Sequence, residues 1–111
     1  MKQKNIRTAT PVEAFPGVLR RTLTYNDRAM LCHFEIRKGA TLPLHRHDPV
    51  QIGMCLEGRI RFLAEKPDDE FETVAGDGYV IDANRLHGLE ALEDSVYVEV
   101  FTPSRPEYAD F

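Results

Sequence analysis

The sequence predicts an all-β protein, a sandwich or small barrel of short strands. Three observations carry that expectation. Apolar residues recur with period two in several short runs, not with the 3.6-residue period of a helix. Turn signals separate the runs, among them Asn26-Asp27, Gly39, Gly58 and the Gly-Asp-Gly of residues 76–78. The length, 111 residues, is enough for one compact core but not for two.

The elements follow in order. Residues 17–24 (GVLRRTLT) read as a first strand, closed by the turn in YNDR. Residues 29–36 (AMLCHFEI) read as a second, with Met30, Cys32, Phe34 and Ile36 on one apolar face. His33 is out of phase with that face and is expected at the surface or on a second wall. Residues 51–57 and 59–65 flank Gly58 and read as neighbouring strands. In the latter, Arg59 and Arg61 alternate with Ile60 and Phe62, the pattern of a half-exposed strand. KPDDE forms a loop tip before FETVA; YVID is short, and LHGLEAL follows it. SVYVEVF, residues 95–101, has the cleanest alternation of all. The tail TPSRPEYADF holds two prolines and should be irregular, since proline cannot donate to a ladder.

Composition removes several functions. The net charge of −4 comes with no basic stripe to meet phosphates, so no nucleic acid partner is expected. No apolar run is long enough to span a membrane, and none follows the cationic N-terminus as a secretory signal would require. Cys32 and Cys55 are too few for a disulfide framework. Both lie in apolar runs and read as buried thiols of a cytoplasmic protein.

The chemistry is concentrated in HRHDPVQ, residues 45–51. His45, His47 and Gln51 share parity, so an extended strand would aim them to one side, with a bend or edge at Pro49. Imidazoles suit Zn, Cu, Fe and Ni, and a carboxamide oxygen can complete such a site. Taken alone, the pair is equally compatible with two half-exposed histidines in a loop. The surroundings add to it. Gly39, five residues, His45, one residue, His47, three residues, Gln51, six residues and Gly58 follow one another, and His87 comes later in VIDANRLHG, after the Gly-Asp turn. This pattern resembles the two motifs of the cupin superfamily across roughly residues 34–101. QIGMCLEGRIRF together with GDGYVIDANRLHGLEALEDSVYVEVFTPSRPEY resembles, more narrowly, the KdgF type of small cupin.

The resemblance implies a single-domain cupin, a small jelly-roll-like β-barrel of two antiparallel sheets, commonly a homodimer. Residues 1–17 would be an N-terminal arm and residues 18–111 the barrel with its irregular tail. It implies one divalent transition metal per chain (Zn, Ni, Fe, Mn or Co) on His45, His47, Gln51 and His87. It implies catalytic roles for Glu99, which stands where the family usually has Asp, and for Phe101 and Arg105. Proteins of this type convert 4,5-unsaturated monouronates to linear keto-uronates during pectin or alginate breakdown. The implied partner is therefore a small sugar acid. Tyr97, Glu99 and Phe101 share parity and can face one cavity; the opposite choice would turn Val96, Val98 and Val100 inward. Gly53 and Cys55 lie on the same side as Gln51, and packing is the first expectation for that thiol. With four neutral ligands an ion would keep its full charge, which suits a Lewis acid. Two other readings stay open: a metal-dependent dioxygenase acting on an enol, and a sugar-acid-binding module without catalysis.

Overall fold

The computed structural model describes residues 1–109. Ten strands follow one another: β1 (Val12–Phe15), β2 (Val18–Tyr25), β3 (Met30–Ile36), β4 (Thr41–His45), β5 (Val50–Glu57), β6 (Arg59–Ala64), β7 (Phe71–Val74), β8 (Gly78–Ile81), β9 (His87–Ala91) and β10 (Ser95–Thr102). They divide into a sheet of six, in the order β1-β2-β3-β10-β5-β8, and a sheet of four, in the order β4-β9-β6-β7. Every paired neighbour is antiparallel. Among the described residues no ladder joins the two sheets. The all-β, two-sheet expectation therefore holds as a jelly-roll-like sandwich, and the barrel is not closed.

The inner faces are where the alternation places them. Met30, Cys32, Phe34 and Ile36 are at most 4 % exposed, and Tyr97, Glu99 and Phe101 at most 2 %. Between the two inward alternatives for β10, the structure takes the aromatic and acidic set and leaves the valines half-buried outside. Phe34 and Tyr97 stack at 4.9 Å across β3 and β10. Ile60, Phe62, Leu89 and Ala91 close the core from the smaller sheet. Burying a side chain such as Phe101, Met30 or Ile60 contributes about 1.5–3 kcal/mol.

Four elements differ from the sequence reading. β5 and β6 are adjacent in the chain but lie in different sheets, β5 beside β10 and β8, β6 beside β9 and β7. Gly58, at φ +84°, makes the one-residue crossing between them. Residues 12–15, within the expected arm, form β1 and pair with β2 at the edge of the larger sheet. β4 was not anticipated, because Pro43 interrupts its pattern. His33 is 5 % exposed on the outer face of β3, in register with Arg21 and Val98.

The outer face of the larger sheet is itself apolar. Ile52 pairs laterally with Val80 and Val100, and Val100 with Leu31; Met54 pairs with Val98. Ile52, Met54, Leu56 and Val80 are 51 %, 43 %, 41 % and 57 % exposed. An antiparallel sheet that faces water usually alternates apolar and polar residues, and here β5 and β10 do not.

Candidate metal centre

The site assembles where the two sheets face each other. β4 ends at His45 and β9 begins at His87, and the two residues are paired in register in the smaller sheet. β5 carries Gln51 in the larger sheet, and His47 sits in the bend that connects the sheets. His45, His47 and Gln51 thus do not share one strand, and parity is not what gathers them. The chain leaves one sheet after His45 and enters the other at Val50, so the bend at His47 spans the mouth between them.

The three imidazoles are held in one way. The Nδ1 of His45 lies 2.9 Å from the Pro43 carbonyl, that of His47 2.8 Å from Pro49, and that of His87 2.8 Å from Arg85. A carbonyl only accepts, so each Nδ1 carries a proton and Nε2 is the nitrogen left to ligate. His87 Nε2 is buried with no hydrogen-bond partner among the described residues. Burial pushes the His87 pKa down to about 4 and lowers that of His47, which keeps both rings neutral. One nitrogen from each of the three rings lies within 4.8 Å of the others, a spread comparable with about twice a ~2.1 Å metal–nitrogen bond. This group could hold a metal ion, and the donor set fits a first-row divalent cation. Backbone carbonyls on the far ring nitrogen are what metal-ligating histidines commonly use to fix tautomer and orientation.

Gln51 Oε1 faces His47 Nε2 at 3.1 Å, and its Nε2 donates to Glu99 Oε2. Two acceptors, the amide oxygen and a bare ring nitrogen, face each other at that distance, an arrangement a cation between them would satisfy. Tyr79 Oη donates to the same Glu99 oxygen at 2.7 Å. Glu99 is 2 % exposed, and burial raises its pKa to about 7 against the opposing effect of Tyr79, Gln51 and the Arg105 charge. No carboxylate stands among the four candidate ligands, but a carboxyl group lies one hydrogen bond behind Gln51.

The remaining candidates line the same cavity with His45, His87, Gln51 and Glu99. Phe101 packs its edge on His47 with ring centroids 5.8 Å apart. The Arg105 guanidinium lies 5.2 Å over Phe101 and 4.2 Å over Tyr108, and its Nε donates to Glu107 at 2.7 Å. Tyr108 was not singled out by the sequence reading. It is clasped on another side by Arg20, 4.2 Å from its ring, and its carbonyl accepts from Thr22 Oγ1 at 2.6 Å. With Tyr108 in place the cavity measures about 30 Å³, room for one water. Tyr79 was also missed; its signal was an aromatic in phase with Ile81 on a strand facing Gly53. Cys55 is fully buried and neither cysteine is in a disulfide; burial raises its thiol pKa, consistent with packing.

The cupin domain family model matches residues 32–102. Pectin degradation protein KdgF of Dickeya dadantii is 31 % identical over 111 residues, spanning 97 % of this chain and 99 % of that protein. Among solved structures, KdgF from Halomonas sp. superposes with a TM-score of 0.87 at 24 % identity, over 96 % of this chain and 97 % of that one. An RmlC-like cupin from Shewanella frigidimarina gives 0.85 at 20 % identity, over 98 % and 100 %. The polyketide cyclase RemF from Streptomyces resistomycificus gives 0.80 at 20 % identity, over 96 % and 82 %. The last three show a shared fold.

Proposed function

Because the chain belongs to the cupin domain family, we propose that it is a metal-dependent enzyme that opens and ketonises a 4,5-unsaturated monouronate released from pectin or alginate. The likeness to a pectin degradation protein supports the substrate class. One observation carries the mechanism: a buried carboxyl near neutral pKa sits directly behind a cluster of three imidazoles and an amide, in a cavity shared with an arginine.

His45, His47, His87 and Gln51 would hold the ion, through three Nε2 atoms and Oε1. A bound divalent cation supplies Lewis-acid polarisation of a substrate oxygen. The reaction is an isomerisation. The anomeric hydroxyl loses a proton, the bond from C1 to the ring oxygen breaks, and C1 becomes an aldehyde. The electron pair passes to the ring oxygen, which takes up a proton, leaving an enol at C5. That enol then gives up its proton as C4 takes one, and the C4–C5 double bond becomes a ketone at C5. Protons lost and gained balance, so one shuttling group is sufficient, and Glu99 has the pKa for both directions. Arg105 would hold the substrate carboxylate with a two-pronged guanidinium contact, and Phe101 would wall the ring.

Mixing the metal-loaded protein with freshly prepared 4,5-unsaturated galacturonate should accelerate loss of its ultraviolet absorbance over a no-enzyme control. His47→Ala should abolish the acceleration, and Glu99→Gln should reduce it by about 10²–10⁴-fold. Metal bound at one per chain with no acceleration would retain the centre and reject this substrate. Oxygen consumption with an enol acid would instead mark a dioxygenase, and tight binding without turnover, indifferent to Glu99→Gln, a binding module.

We further propose a cytoplasmic homodimer that pairs through the apolar outer face of the larger sheet, around Ile52, Met54 and Val80.

A further inference from the structure

Tyr79, Gly53 and Glu99 lie side by side on β8, β5 and β10, for Gly53 pairs with Tyr79 on one flank and with Glu99 on the other. Tyr79 reaches Glu99 by crossing over Gly53. A Cβ at position 53 would sit 2.5 Å from the phenol oxygen, 2.7 Å from its Cζ and 2.8 Å from the Val98 carbonyl. The middle strand of the three must therefore lack a side chain there for the phenol to lie across it. What the phenol reaches is the single carboxyl oxygen, Oε2, that also accepts from Gln51 Nε2.

That shared oxygen has a consequence for the metal centre. A carboxamide can present either oxygen or nitrogen to the imidazoles, and only the oxygen has a lone pair to give. Glu99 Oε2 captures the NH₂ and so turns Oε1 toward His47. Tyr79 donates to the oxygen that performs the task, and at 9 % exposure its ring has little room to swing away.

We propose that Tyr79, given passage by Gly53, is a positioning residue that locks Glu99 and thereby holds the Gln51 amide with its oxygen toward the metal. This rests on the reading of Gln51 as the fourth ligand. Neither Tyr79 nor Gly53 touches the ion or the substrate in this arrangement; their effect passes through two hydrogen bonds.

The test is a Co²⁺ titration of the metal-free protein, read by the visible absorption of the bound ion. Tyr79→Phe should weaken Co²⁺ binding about tenfold, the lower end of what loss of an outer partner of a metal ligand costs. Its spectrum should move toward that of Gln51→Ala. In the Gln51→Ala background Tyr79→Phe should change neither affinity nor spectrum, because no amide remains to be oriented. Gly53→Ala, which displaces the phenol without removing it, should reproduce the Tyr79→Phe spectrum. Tyr79→Phe removes one oxygen from a packed ring, and circular dichroism of the metal-free variants verifies the fold. If Gln51→Ala weakens binding while Tyr79→Phe matches the parent protein, the positioning role is rejected and the fourth ligand stands. If the losses from Gln51→Ala and Tyr79→Phe are additive, Tyr79 acts by another route and the proposal is overturned. If Gln51→Ala itself binds Co²⁺ as the parent does, the fourth-ligand reading fails and takes the proposal with it.

Discussion

Glu99 concentrates the electrostatics of the molecule. Burial raises its pKa from 4.5 to about 7, so the folded chain binds this proton more tightly than the unfolded chain does. The associated stability is fully present below about pH 4.5 and is lost as pH rises through about 7. Glu99→Gln keeps the shape and removes the titration. The metal-free variant should therefore gain on the parent protein between pH 5 and pH 8, by on the order of 3 kcal/mol. Thermal midpoints of both proteins at the two pH values measure that difference; a constant gap would mean that Glu99 does not titrate in this range. His87 contributes with the opposite sign, since its lowered pKa costs stability as pH falls below 6.5, but it is common to both proteins and cancels. At this scale the sequence was informative about residue type and poor about cause. Spacing and the resemblance named His45, His47, Gln51, His87, Glu99, Phe101 and Arg105, and the structure brings all seven to one cavity or its edge. The explanation from shared parity was wrong, because His45 and Gln51 belong to opposite sheets. Tyr79 went unnoticed because its partner is an absence, the missing side chain of Gly53, on a strand 26 residues earlier in the chain.

Among the elements, strands with unbroken alternation were legible to within a residue or two: 29–36 against Met30–Ile36, and 95–101 against Ser95–Thr102. Strands whose alternation is short or holds a proline were not, as with Val12–Phe15 and Thr41–His45. Sheet membership was also hidden. Period-two patterning says that a strand has two faces, and says nothing about which neighbour it takes. The segment after β10 has a clearer functional meaning than its irregular composition suggested. Pro106–Tyr108 forms a short 3-10 turn, and Tyr108 lines the cavity. A hexuronate is larger than about 30 Å³, so the substrate proposed above would require this segment to move aside. Glu107 meanwhile pairs with the guanidinium proposed to hold the substrate carboxylate. Glu107→Gln should lower KM for an acidic substrate, by up to about fivefold, since an exposed ion pair contributes at most ~1 kcal/mol. kcat should change little, and a steady-state comparison of the two proteins decides it. A raised KM would place Glu107 among the substrate contacts instead.

For the whole molecule, the two faces of the larger sheet pose different problems. The inner face is covered by the smaller sheet. The outer face exposes Ile52, Met54, Leu56 and Val80 around half-buried valines, a contiguous patch of the kind that marks a protein interface. Analytical ultracentrifugation should give twice the chain mass of 12.7 kDa. Ile52→Glu, which puts a charge in the centre of that patch, should return the protein to one chain while leaving Co²⁺ binding intact. A parent protein that sediments as a single chain at micromolar concentration would reject the pairing.

The position of β10 bears on how the protein is made. It is the last of the ten described strands to be synthesised, yet it lies between β3 and β5, well inside the six-stranded sheet. On the ribosome, β1 to β3 and β5 with β8 can form as separate pieces, but each keeps one open edge toward a strand that has not yet emerged. Until residues 95–102 leave the exit tunnel, the nascent chain presents two unpaired edges and an uncovered core, and neither Glu99 nor Phe101 has reached its place. Completion of the two-sheet domain and assembly of the candidate centre are thus one event. A ribosome stalled before that strand would display a chain with His45, His47 and His87 but without Glu99 beside them, in a state exposed to chaperones and proteases.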